Sequence, residues 1–75
     1  MPDANPTTTP TFTVNGEARS LAGPMTVADL LVAIGLDGRK VAVERNEAIV
    51  PRSAYTATRI EPGDSLEIVH FIGGG

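Results

Sequence analysis

Gly73, Gly74 and Gly75 follow directly on the apolar run Val69-His70-Phe71-Ile72, and this tail is the segment whose residue types most directly imply a reaction. Three glycines carry no side chains and leave the backbone wide freedom, so the tail can thread a narrow channel. A terminal carboxylate is a poor electrophile until one oxygen becomes a leaving group. Activation by ATP to an acyl adenylate achieves this, and the sulfur of a partner's persulfide can then attack. The product is a thiocarboxylate, a sulfur nucleophile at the tip of a flexible arm. Glycine suits the position because a Cβ beside the reacting carbon would crowd a partner's active site. A glycine run alone also reads as a frayed end, so its surroundings must decide.

The remaining side chains offer little independent chemistry. The single histidine, His70, lies close to the tail and invites a general-base role, or it is an edge-facing structural residue. There is no cysteine, which removes disulfides, thiolate metal sites and side-chain persulfides. Asp29 and Asp37 read as helix-start and loop residues, because two carboxylates without further ligands make a poor metal site. Arg52, behind Pro51, reads either as a partner contact or as a solvated cation. No metal site is expected, nor a bound cofactor.

The elements that must position the tail are legible from pattern. Thr11 to Val14 alternates and meets Asn15-Gly16, a dipeptide suited to the positive φ angles of a tight hairpin turn, before Glu17 to Leu21. Thr26 is placed to cap a helix with Asp29 in its first turn and an apolar stripe of Val27, Leu30, Leu31 and Ile34; Gly35 stops it. Lys40 to Glu44 starts a second β region that turns near Asn46-Glu47 and resumes over Ala48 to Val50, until Pro51 interrupts it. Arg52 to Thr58 is expected to hold a short turn or a single helical turn. Glu61-Pro62-Gly63-Asp64 forms a tight turn and Ser65 to Phe71 the last strand.

This order predicts an α+β domain over residues 11–72, one helix covering one face of a mixed sheet of four to five strands. The helix is long enough for a crossover, which allows the strands flanking it to be parallel neighbours. Residues 1–10, rich in Thr and Pro, are expected to be a disordered leader, and 73–75 a flexible reactive tail. In the last strand Leu66 and Ile68 share one face; Glu67 marks the other as solvent, which leaves Val69 and Phe71 as exposed apolar residues beside the tail. The competing reading buries Phe71 at a bulge or sheet edge.

Composition narrows the function further. The 75-residue chain is 41% hydrophobic with a net charge of −3, and its six Lys and Arg residues are too few for phosphate-backbone binding. Neither a signal peptide nor an apolar run of membrane-spanning length is present, so a cytoplasmic location is expected.

From Phe12 to Gly75 the sequence resembles the ThiS-type sulfur carriers of thiazole biosynthesis, ubiquitin-like proteins of the β-grasp fold. The likeness is carried by Val14-Asn15-Gly16-Glu17, Thr26-Val27-Ala28-Asp29-Leu30-Leu31, Val41-Ala42-Val43-Glu44, Ile49-Val50-Pro51-Arg52 and Gly63-Asp64-Ser65-Leu66-Glu67-Ile68-Val69, with Gly74-Gly75 matching the family's terminal pair. The resemblance implies a β-grasp sheet with its first and last strands paired at the centre. It implies a protein cosubstrate, not an enzyme: Gly75 is adenylated by an E1-like (ThiF-type) adenylyltransferase using ATP, receives sulfur through a cysteine desulfurase, and delivers it to a ThiG-type thiazole synthase. Gly74 would enter the activating site with Gly75, while Val69, Phe71, Ile72, Gly73 and Arg52 would meet the partners. A molybdopterin synthase small subunit shares fold and chemistry but has a Pro-rich segment before its glycines, where this chain has Val69 to Ile72. A ubiquitin-like modifier would use the same adenylate.

Overall fold

The computed structural model describes residues 9–71. The first hairpin pairs β1 (Thr11–Val14) with β2 (Glu17–Ser20) through Asn15 and Gly16, whose φ angles are +50° and +85°. Asparagine and glycine tolerate that left-handed region, so the turn closes without strain. Pro10, assigned above to the leader, lends its carbonyl to the Leu21 N–H at 2.8 Å and so prolongs this hairpin. Residues 1–8 lie outside the described chain.

The helix α1 (Val27–Ala33) starts as the sequence indicates. The Asp29 N–H donates to the Thr26 hydroxyl at 3.1 Å, and the Thr26 N–H donates to the Asp29 carboxylate at 3.0 Å, a reciprocal capping box. At the other end Gly35 adopts φ +78°. The Leu36 N–H then reaches the Leu31 carbonyl and the Gly35 N–H that of Val32, so both ends of a helix of seven residues are satisfied.

After α1, Asp37 caps a 3-10 turn (Gly38–Lys40), and β3 (Val41–Arg45) turns through Asn46 and Glu47, both at positive φ, into β4 (Ala48–Val50). Lys40, expected in the strand, belongs to that turn. Its carbonyl nevertheless serves the sheet, as shown below. A 3-10 turn at Arg52–Ala54 occupies the stretch expected to hold a short turn, and the last element, β5 (Ser65–His70), stops one residue short of the expected Phe71.

The sheet order is β2-β1-β5-β3-β4, with β1 and β5 parallel at the centre and every other pair antiparallel. The strands flanking the helix, β2 and β3, are therefore not neighbours; β1 and β5 stand between them. A crossover permits parallel pairing without dictating which strand fills the gap, and here the last strand takes the place. The core lies between α1 and one sheet face. Phe12 and Val14, Val41 and Val43, and Leu66 and Ile68 alternate inward against Val27, Leu30 and Leu31, with Tyr55 and Ile60 closing the rim. Side chains such as Leu30 and Leu66, at 0% exposure, each contribute about 1.5–3 kcal/mol through burial. Among the described residues, no element covers the opposite face. Among the described residues no helix is long and apolar enough to cross a membrane, and no group of three His, Cys, Asp or Glu is placed to hold a metal ion.

Candidate functional site: the tail end of the last strand

At its start, β5 is tied down from three sides. The preceding turn places Gly63 at φ +86°, and the Asp64 N–H closes on the Glu61 carbonyl at 3.0 Å. The buried Asp64 carboxylate accepts from Arg45 Nε at 2.6 Å, Asn46 Nδ2 at 3.0 Å and the Glu61 N–H at 2.8 Å. Burial pushes this carboxyl upward, but Arg45, the Glu61 amide and Asn46 together outweigh it and hold Asp64 below the usual aspartate value. Asn46 also accepts from the Ser65 N–H at 2.9 Å, so the β3–β4 turn is pinned to the root of β5.

Midway, a side chain takes over from a strand. Ladder pairing of β1 with β5 stops at Val14 and Leu66. Beyond it Asn15 accepts from the Ile68 N–H at 2.8 Å and donates to the Ile68 carbonyl at 3.1 Å, as the next residue of a strand would. Neither this amide nor Asp64 stood out in the sequence. Both act across long separations, 53 residues for Asn15 and Ile68, which no local pattern reveals.

At its far end β5 retains β3 on one side. The Phe71 N–H donates to the Lys40 carbonyl at 2.9 Å. Val69 and Phe71 are 61% and 59% exposed on the uncovered face, so the reading that buries Phe71 is excluded. His70 is opposite Val41 and exposed at the sheet's end. Arg52 comes close to this end: its guanidinium donates to the Arg39 carbonyl at 3.2 Å, one residue from the carbonyl that receives Phe71. Arg39 itself pairs with Asp37 at 3.0 Å, and that hydrogen bond lowers the Asp37 carboxyl to about 2. Ile72, Gly73, Gly74 and Gly75 lie outside the described residues.

The candidate site is thus the outer end of β5, with two exposed apolar side chains, Val69 and Phe71, followed in the sequence by the glycine tail. One helix laid across one face of a five-stranded sheet, with first and last strands parallel at its centre, makes the molecule a ubiquitin-like β-grasp protein. The ThiS family pattern matches residues 12–75, and the chain belongs to the ThiS family. It is 42% identical over 50 residues to the sulfur carrier protein ThiS of Bacillus subtilis, covering 67% of this chain and 76% of that one. The crystal structure of a thiamine biosynthesis protein (ThiS) from Geobacter metallireducens superposes with a TM-score of 0.74 at 35% identity, over 87% of this chain and 99% of that one. A thiazole synthase of Paramagnetospirillum magneticum is 56% identical over 62 residues, which is 83% of this chain but 19% of the relative. The chain therefore spans about a fifth of that thiazole synthase's length.

Proposed function

We propose that this protein is the sulfur carrier for the thiazole ring of thiamine and that Gly75 carries the sulfur on its C-terminal carboxyl. The carboxylate attacks the α-phosphorus of ATP within an E1-like adenylyltransferase, and pyrophosphate leaves. A persulfide fed by a cysteine desulfurase displaces AMP from the adenylate. A thiol then cleaves the resulting acyl disulfide, which releases the thiocarboxylate and leaves a disulfide on the partner side. Thiazole synthase is the acceptor. The observation that carries this reading is the family match, which runs through the glycine tail to residue 75. A further support is the presence of a similar stretch within thiazole synthases from two organisms, as expected of a domain that works beside that enzyme.

In this reading the domain is a cosubstrate, and the partner enzymes supply ATP and the catalytic groups. Val69, Phe71, Ile72, Gly73 and Arg52 form the contact set that leads Gly74 and Gly75 into the partner's channel. The test is the intact mass of the protein from its native cell, followed by fragmentation of the tail. Sulfur in place of one oxygen at Gly75 is expected. An unmodified carboxylate under thiamine starvation, with no adenylate formed when activating enzyme and ATP are supplied, would refute the reading.

A further inference from the structure

We infer that the uncovered sheet face is a docking surface with an electrostatic specification: it receives a protein partner that sets a lysine or arginine side chain among apolar ones. The register places Glu44 of β3 directly opposite Glu67 of β5. Both lie on the face away from α1, because the adjoining Val43 and Ile68 are in the core and alternation turns their neighbours outward. Carboxylates set opposite one another on adjacent strands repel, and such pairs destabilise a sheet. Neither glutamate is in a salt bridge among the described residues, where the ion pairs are Arg39 with Asp37 and Arg45 with Asp64. Arg45, the nearest cation in sequence to Glu44, is engaged on the other side of the strand.

Apolar side chains flank the pair on β4 and toward the tip of β5. Ile49 is opposite Glu44 on β4 and 67% exposed, and Val69 lies two residues beyond Glu67 with Ala42 opposite it. A partner that covers these side chains also removes water from the carboxylates, and the local dielectric falls. A cover without a cation would then strand two like charges, whereas one basic side chain between them answers both. This selects against neutral and acidic surfaces of the same shape. It also excludes a second copy of the chain, since face-to-face pairing would bring four carboxylates together.

The inference rests on the carrier reading only for the choice of partners to assay, namely the adenylating enzyme and the thiazole synthase of the same organism. The test uses the full chain with Glu44→Gln and Glu67→Gln combined, a near-isosteric change at the surface. The expected result is an opposed pair of effects. The unfolding midpoint stays or rises by about 2–4 °C as the repulsion is relieved. Affinity for at least one of the two enzymes falls about tenfold, and its dependence on salt flattens. Unchanged affinity and salt dependence for both enzymes would overturn the inference, as would a wild-type chain that binds neither. A lowered unfolding midpoint would also overturn it, because the glutamates would then be structural. Sulfur loading at Gly75 is read separately by intact mass. A wild type that binds through the glutamates yet is never loaded would sink the carrier reading and leave this surface standing.

Discussion

The two ends of β5 are built on opposite plans. From the root to midway, the Asp64 carboxylate, the Asn46 amide and the Asn15 amide bind the strand to both central neighbours, and Leu66 is wholly buried. Five residues beyond Leu66, Phe71 has its amide bonded to Lys40 while its ring stands in solvent. The difference shows where rigidity is invested. In the proposed function a tail that enters a partner's channel needs a fixed point of departure, and the polar clasp at the root would supply one without occupying the surface near the tip.

Substitutions along the strand should therefore lose their effect on stability in order, from root to tip. Asp64→Ala removes one partner of an ion pair and two further hydrogen bonds, and should cost about 3 kcal/mol by chemical denaturation. The pH dependence has a definite sign. The folded-state pKa of Asp64 is depressed, so its stabilisation is present above the unfolded value, roughly pH 4, and fades as pH falls through the folded value. The gap between wild type and Asp64→Asn should accordingly narrow in acid; a gap that persists at low pH would show that the clasp is not electrostatic. Next, Asn15→Gly preserves the positive φ but deletes both bonds to Ile68, and should cost about 1 kcal/mol. If Asn15→Gly is neutral, the amide is not standing in for a strand.

At the tip, Phe71→Ala should change stability by less than about 0.5 kcal/mol while weakening partner binding measurably by calorimetry. A loss of cooperative unfolding there would erase the distinction between the two ends. The smallest effect on stability is expected from deletion of Gly75, which should leave the unfolding curve unchanged and abolish sulfur loading as read by intact mass. A truncated chain that still accepts sulfur would break the comparison outright, because the tip would then have no chemistry to present.

Much of this arrangement was legible in the sequence where the cause is local. Asn15-Gly16 gave the first turn, Thr26 and Asp29 the capping box, Gly35 the helix stop, and Glu67 the solvent side of β5 with Val69 and Phe71 on it. Lys40 reads as strand in the sequence because the alternation of Val41 and Val43 extends backward, whereas Asp37 nucleates a 3-10 turn by accepting from the Arg39 N–H. Central pairing of β1 with β5 came from family resemblance, since periodicity does not order strands. The clasps made by Asn15 and Asp64 escaped notice for a related reason. An Asn or Asp in a turn satisfies local rules on its own, and nothing nearby betrays that its side chain also serves a distant strand.

The central position of β5 has a consequence for how the chain is made. Its parallel partner β1 emerges first in synthesis, yet the pairing of Thr13 with Ser65 and Val14 with Leu66 waits until the last strand is available. Contacts of such separation pay their loop-closure entropy late and form together with the core. A nascent chain lacking β5 has no centre to its sheet, so the sheet cannot close until that strand is made. In the proposed function this topology would act as a quality check, because a domain without β5 would offer no folded carrier for activation.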